Sequence, residues 1–160
     1  MQQVGSRQHA GVSAILGMVS QTFNDWSPPI LVSQQRINLF AAATGDDQGI
    51  HVDLEQAVSA GFDTTIAQGL LVVGFNALVQ KIIVKRLERD YPGSKILHLG
   101  GCYKLEGMVP EGSFVRVHGR VASAEPPKPK KIRFSYAYEV AFCDERRVAS
   151  GSMDLAGIFK

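Results

Sequence analysis

The sequence predicts an α+β domain in which an antiparallel sheet wraps a long, central, apolar helix. Three observations point there. From Gly69 the chain reads Leu70, Leu71, Val72, Val73, Phe75, Ala77, Leu78 and Val79, a helical stretch with almost no polar side, and such a helix must be surrounded by protein. Further on, Ile132, Phe134, Tyr136, Tyr138, Val140 and Phe142 alternate with Arg133, Ser135, Ala137, Glu139 and Ala141, the clearest period of two in the chain. Four strand-like runs also follow the helix with short turns between them. Strands joined in that way are antiparallel, because parallel neighbours need a long crossover. A sheet curled around one helix is the economical way to bury both.

Composition frames the reading. A chain of 160 residues is long enough for one domain with a real core, so residues 1–160 are taken as a single unit. Hydrophobic content of 45% with 20% charge is ordinary for a globular protein. A net charge of +2, without Lys/Arg clusters interleaved with aromatics, argues against nucleic-acid binding. Cys102 and Cys143 lie far apart without metal or redox spacing and read as partly buried, reduced thiols in strands. The N-terminal MQQVGSRQHAGVSA lacks the apolar segment of a signal peptide. The apolar run from Gly69 to Val79 is well short of the ~20 residues of a membrane span. A cytoplasmic protein with no membrane contact is expected.

Taken in order, residues 1–10 are polar and without period and are expected to be disordered. Residues 12–23 suggest a helical turn or the lead into a strand, and periodicity does not choose between them. Trp26 reads as a packing residue ahead of the stiff connector Ser27-Pro28-Pro29. Ser33 is a good N-cap for a helix to about Ala43, with Ile37, Phe40, Ala41 and Leu39 inward. Gly45 supplies its left-handed end. Asp53, with Gln56 three residues on, caps a short helix from Leu54 to about Ala60. The long helix then runs from Gly69 to Asp90, its last turns exposing Lys81, Lys85, Arg86, Glu88 and Arg89. Strands follow over 96–105, 113–124, 132–142 and 148–159. A turn is expected at Val109-Pro110-Glu111-Gly112, the loop PPKPKK lies between the second and third strands, and Asp144-Glu145-Arg146 turns a hairpin.

The candidate chemistry sits between Thr44 and Leu71. A glycine-flanked acidic turn presents Asp46, Asp47 and Gln48, and His51 follows. A carboxylate and an imidazole form an acid–base pair, since each can hold a proton and the one can orient the other. On a helix, residues 46 and 51 would diverge by roughly 140°, so a loop is needed to bring them together. Spacing alone leaves Asp46, Asp47 and Asp53 all open as the carboxylate. His9, His98 and His118 have no partner pattern and read as structural.

The run Gly45-Asp46-Asp47-Gln48-Gly49-Ile50-His51 resembles the G-D-x-N-P-[ILV]-H motif of the MaoC-like dehydratase and (R)-specific enoyl-CoA hydratase family. It is closer still to the NodN-like branch, with G-D-x-Q-W-I-H-V-D. The likeness extends to the approach helix from Ser33 to Thr44, to Thr65-Ile66-Ala67-Gln68-Gly69-Leu70-Leu71 against T-I-A-H-G-x-L, and to Val109-Pro110-Glu111-Gly112-Ser113 against V-P-x-G-S. It covers about residues 17 to 159. The resemblance implies a hot-dog fold and an acyl-thioester hydratase or dehydratase. It implies Asp46 and His51 as the catalytic pair, Gly69 as the oxyanion-hole N–H, and Gln48 and Gln68 as residues that orient substrate. A free helix N-terminus suits a carbonyl oxygen that gains negative charge.

Three positions depart from the pattern. Gln48 stands where the hydratases have asparagine, Gly49 replaces proline or tryptophan and predicts a looser turn, and Gln68 replaces histidine. The resemblance implies no metal and no cofactor beyond the coenzyme A or phosphopantetheine that carries the acyl group. It implies an acyl-CoA or acyl-carrier-protein substrate and a homodimer with its sites near the interface. Lys81, Lys85, Arg86, Arg89, Lys128, Lys130, Lys131 and Arg133 are available to carrier phosphates. A hot-dog thioesterase and a non-catalytic acyl-thioester-binding module are the rival readings. A phosphate-binding nucleotide fold is disfavoured, because His98-Leu99-Gly100-Gly101 lacks the G-x-G-x-x-G spacing and a following helix.

Overall fold

The computed structural model describes residue 17 and residues 26–90, 92–125 and 131–159. The expectations for residues 1–10 and 12–23, His9, and the loop cations Lys128 and Lys130 lie outside the described residues. Among the described residues the elements are β1 (Ile30–Leu31), α1 (Gln34–Thr44), α2 (Gly49–Val52), α3 (Leu54–Ser59), α4 (Gly69–Gly74), α5 (Ala77–Asp90), β2 (Lys95–Leu105), β3 (Phe114–Ala124), β4 (Lys131–Phe142) and β5 (Arg147–Ile158). The strands form one antiparallel sheet in the order β1-β3-β4-β5-β2, curled around the α4–α5 helix in the hot-dog arrangement.

The local signals for the helices work as the sequence suggests. Ser33 Oγ accepts from the Arg36 N–H, and Gly45, at φ 79°, closes α1 with its N–H on the Ala41 carbonyl. Ile37 and Ala41 are buried, while Leu39, expected inward, is 64% exposed. The stripe that faces the core is narrower than the list of apolar residues implied. The period of two in β4 holds: Ile132, Phe134, Tyr136, Tyr138 and Val140 are all buried. Along the row Gly119–Tyr138–Gly151, glycines flank the tyrosine. A Cβ on Gly119 would lie 2.9 Å from Val79 Cγ1 and 2.6 Å from the Ala137 carbonyl oxygen. Val79 of the helix therefore sits against β3 at a point where the strand carries no side chain.

Two expectations need correction. Sequence order suggested that β2 and β3 are neighbours across a tight turn. They lie near opposite sides of the sheet, with β2 as an edge strand on β5 and β3 beside β1. The Val109–Gly112 segment does turn, with the Ser113 N–H on the Pro110 carbonyl at 3.2 Å. Its residues also bond back to Thr65–Ala67, so it serves as a crossing connection.

The long helix is also interrupted. Phe75, Asn76, Leu78 and Val79 donate to carbonyls three residues back, a 3₁₀-type tightening that separates α4 from α5. The cause is Asn76, only 8% exposed, whose Nδ2 donates to the Val73 carbonyl at 2.6 Å while its Oδ1 accepts the Tyr136 hydroxyl. A buried amide must satisfy both ends, and here it does so by drawing the helix in against β4. The helix is not wholly enclosed either: Leu70 and Ile82 are 50% and 48% exposed. A single sheet covers one side of it.

Tyr136→Phe leaves the Asn76 carbonyl oxygen buried without a donor. It is expected to lower the unfolding free energy by roughly 1–3 kcal/mol, read by urea denaturation. Burial, with Tyr138 nearby, pushes the Tyr136 hydroxyl pKa upward from 10.0. Its folded value thus exceeds its unfolded value, and the stability held by the neutral hydroxyl is full below about pH 10 and lost as pH rises beyond it. The substitution should flatten that alkaline decline; an unchanged slope would contradict the assignment.

Candidate active site

The acidic turn is built from the end of α1. Thr44 Oγ1 donates to the Phe40 carbonyl at 2.7 Å and accepts the Asp46 N–H at 3.3 Å. Asp46 is half-buried, and its Oδ1 takes a 3.4 Å hydrogen bond from Gln48 Nε2. Asp47 and Gln48 are exposed. The segment is not an open loop throughout, because Gly49–Val52 makes one helical turn, closed by the Asp53 N–H on the Gly49 carbonyl at 2.8 Å. A Cβ on Gly49 would fall 2.9 Å from Gln56 Cβ and still nearer its amide. Gln56 occupies the space that a larger residue at position 49 would need.

His51 rides on that turn and is 7% exposed. Its Nδ1 lies 2.7 Å from the Ile66 carbonyl oxygen. A carbonyl only accepts, so Nδ1 carries the proton, and in the neutral ring Nε2 is left with its lone pair. The partner carbonyl is itself held firmly. Ala67 N–H donates to Val109 O at 2.8 Å, Glu111 N–H to Thr65 O at 2.8 Å, and Ile66 N–H to Ile50 O at 3.1 Å. Gln34, in the first turn of α1, completes the frame: its Nε2 donates to the His51 carbonyl at 2.8 Å, and its Oε1 accepts the Thr65 hydroxyl.

Asp53, left open on spacing alone, is committed to capping. Its Oδ1 accepts the N–H groups of Glu55 and Gln56 at 2.9 and 3.1 Å. Gln56 Nε2 donates to Oδ2 at 3.0 Å, so the amide meets the cap's side chain and not its backbone N–H. The Gln56 backbone N–H, then its side-chain amide, holds the Asp53 carboxyl below its ordinary value.

Gly69 opens α4 a few residues from Ile66. The N–H groups of a helix's first turn have no intrahelical acceptors, and the first α4 bond is from Val72 to Gln68 at 3.2 Å. Leu105 of β2 lies over Gly69, where a Cβ would come 2.4 Å from Leu105 Cδ1. Gln68 is fully buried, its Nε2 donating to the carbonyls of Ile37 at 3.2 Å and Asp46 at 3.1 Å. The structure thus brings Asp46, His51, Gln68 and Gly69 into one region by way of backbone carbonyls. Among the described residues, no hydrogen bond joins the Asp46 carboxylate to His51.

Sequence reasoning missed Gln34, Thr65 and the Ile66 carbonyl. The two T-I-A-Q-G and V-P-E-G-S segments contained the signal for the last pair, since Ile66 and Pro110 form an isolated bridge. Gln34 had none, because it reads as an ordinary first-turn polar residue. The large cavity of the chain lies elsewhere. About 910 Å³ in volume, it is lined by Phe62, Asp63, Met108, Glu139 and Arg147 and reaches this region at the Ile66–Pro110 bridge. Among the described residues no group of three His, Cys, Asp or Glu side chains is placed to hold a metal ion. No described helix is long and apolar enough to cross a membrane. His118, read as structural, is stacked on Trp26 with centroids 4.8 Å apart.

With this geometry in place, the chain can be set beside known proteins. A family model described as "MaoC like domain" matches residues 19–96. Over 107 residues the chain is 35% identical to 3-hydroxyacyl-thioester dehydratase Z of Mycobacterium tuberculosis, a match that takes in 64% of each protein. The chain therefore spans just under two thirds of the length of that curated relative. Among solved structures, the R-hydratase PhaJ1 from Pseudomonas aeruginosa superposes with a TM-score of 0.62 at 22% identity, covering 85% of this chain and 81% of that one. The (R)-hydratase from A. caviae involved in PHA biosynthesis gives 0.65 at 18% identity, covering 82% and 92%. At such identities these two establish the fold.

The His51 geometry makes a direct spectroscopic prediction. In the neutral ring, ¹⁵N NMR should find Nδ1 protonated and Nε2 as the bare nitrogen. The opposite tautomer would break the assignment to the Ile66 carbonyl.

Proposed function

We propose that this chain, whose residues 19–96 match the MaoC like domain model, is a member of that family and an acyl-thioester hydratase/dehydratase. It interconverts trans-2-enoyl and (R)-3-hydroxyacyl thioesters. The observation that carries the reading is the bond from His51 Nδ1 to the Ile66 carbonyl, three residues ahead of the start of α4, which leaves Nε2 for proton transfer. In hydration, a water held between Asp46 and His51 adds its oxygen to C3. The C2=C3 electron pair shifts toward the thioester carbonyl, whose oxygen is met by the Gly69 N–H. The proton released by the water is returned to C2 on the same face. Dehydration runs the steps backwards. One such backbone donor in a dry site is worth roughly 3–4 kcal/mol of transition-state stabilisation.

Gln48 orients the bound thioester from the exposed side of the turn, and Gln68 supports the same geometry from beneath. The acyl group arrives on coenzyme A or on the phosphopantetheine of a carrier protein, with no further cofactor and no metal. Of the described cations, Lys81, Lys85, Lys131 and Arg133 are the ones this reading assigns to carrier phosphates. Two free cysteines suit a cytoplasmic protein.

The working unit is a homodimer. Among the described residues nothing pairs with the outer edge of β2, which is exposed along most of its length, with Leu97, Leu99, Tyr103 and Leu105 between 47% and 51% open. Nearby on α4, Leu70 is half open as well. A long apolar edge strand invites a second chain. Leu105 lies against Gly69, so a copy seated on β2 would also wall the site.

The decisive assay is hydration of enoyl-CoA substrates of several chain lengths, followed by loss of the enoyl absorbance. Asp46→Asn and His51→Ala are each expected to lower kcat/KM by about 10²–10⁴-fold; activity that survives both sinks the proposed pair. Release of free thiol without loss of the double bond would identify a thioesterase. Binding without turnover would identify an acyl-binding module. In sedimentation, the wild-type chain should run as a dimer and Leu99→Lys should shift it toward monomer.

A further inference from the structure

Gln68 is a fully buried side chain that bonds to the acidic turn from the position just ahead of the helix that starts at Gly69. It is 0% exposed and sits as the residue before α4, with φ −58° and ψ 138°. Its two side-chain hydrogen bonds start from a single atom. Nε2 donates to the carbonyl of Ile37, in the body of α1, and to the carbonyl of Asp46 itself. A primary amide carries two N–H bonds on one nitrogen, splayed in a plane, and can therefore serve two carbonyls at once. Imidazole has one hydrogen on each ring nitrogen at most. A carboxylate has none, and would set its oxygens against both carbonyls. The bridge is specific to an amide.

The other end of the same amide is left over. Gln68 Oε1 is buried and has no hydrogen-bond partner. An unpaired buried acceptor is a cost that folding alone does not favour. An apolar side chain of similar volume would avoid that cost and fill the same space. The amide is therefore retained for what Nε2 does.

We infer that Gln68 is a positioning residue: it fixes Asp46 relative to Gly69 by clamping the Asp46 carbonyl to the start of α4. This deepens the hydratase reading and rests on it. Gln68 does not meet substrate, since its amide is spent on backbone and sealed from solvent. It acts through Asp46. The acidic turn is otherwise held by Thr44, whose Oγ1 accepts the Asp46 N–H, and by α2 on its far side. The clamp is the contact that crosses from the turn to the helix carrying the oxyanion donor.

The test uses Gln68→Met, Gln68→Glu and the wild-type chain. Gln68→Met removes the clamp together with the orphan acceptor, so its melting temperature should equal or exceed that of wild type. Its kcat on an enoyl-CoA should fall about tenfold or more while KM stays within about twofold, because binding groups are untouched. Gln68→Glu should be slower still at neutral pH. Its activity relative to wild type should climb as pH falls, since a protonated carboxyl regains one donor. Hydrogen exchange gives a readout that does not need turnover: peptides covering residues 44–52 should exchange several-fold faster in Gln68→Met, with α5 unchanged. Unchanged exchange there overturns the clamp, whatever the activity. Turnover by wild type with an unaltered kcat in Gln68→Met overturns the positioning role and leaves the hydratase reading intact. No turnover by wild type, with exchange accelerated in the variant, removes the hydratase reading and keeps the clamp.

Discussion

The constraint on which the site depends is the fixed direction of the Ile66 carbonyl. That oxygen decides which nitrogen of His51 holds the proton, and so which is left for chemistry. A carbonyl can set a tautomer only if it cannot turn away. Thr65, Ile66 and Ala67 are stitched to Glu111, Ile50 and Val109 by backbone hydrogen bonds of 2.8–3.1 Å, so the peptide is held from both sides. Gln34 ties the same knot from α1, reaching the His51 carbonyl and the Thr65 hydroxyl. Four stretches of chain, distant in sequence, meet at one peptide group. This is why the connection between β2 and β3 crosses under the site instead of making a plain hairpin.

The helix shows a similar compromise between burial and polarity. Val72, Val73, Phe75, Val79, Ile83 and Leu87 all enter the core, and the sheet closes over them. Asn76 breaks the run. Its amide is satisfied by Val73 and Tyr136, at the cost of a tightened turn between α4 and α5. The tightening lets α4 aim its N-terminus at the acidic turn while α5 follows the curl of β3. Leu70 and Ile82 remain open on the side the sheet does not reach. That side and the free edge of β2 are what one chain alone leaves unburied.

Much of this was legible in the residues. Ser33, Gly45 and Asp53 announced helix ends, and each makes the cap its side chain or backbone promised. The alternation in β4 gave a buried face that the structure keeps residue by residue until Val140. Strand order was not legible, because a period of two reports which face a side chain takes and is silent about neighbours. The break at Asn76 was hidden for a related reason: an asparagine in an apolar helix is noticed only when its distant partner, Tyr136, is known. Asp46, His51 and Gly69 were singled out by resemblance, and the fold carries them into one region through the carbonyls of Asp46 and Ile66. Gln34 carried no signal, since its partners lie on segments that only the fold brings near.

The departures from the family motif have a common physical consequence. Proline or a large aromatic at position 49 would stiffen the turn through its own ring. Gly49 cannot, and a Cβ there has no room, because Gln56 lies over it with its amide on Asp53. Position 68 offers an amide in place of imidazole, and that amide grips the Asp46 carbonyl from inside. The turn is thus held by two glutamines, one on each side, in place of residues rigid in themselves. Rigidity borrowed in this way is only as good as the packing around it. The Gln56 side chain rests on the exposed short helix α3, whereas Gln68 is sealed beneath α1 and α4. Of the two supports, the inner one has the smaller freedom to move, and the position of Asp46 relative to Gly69 follows it.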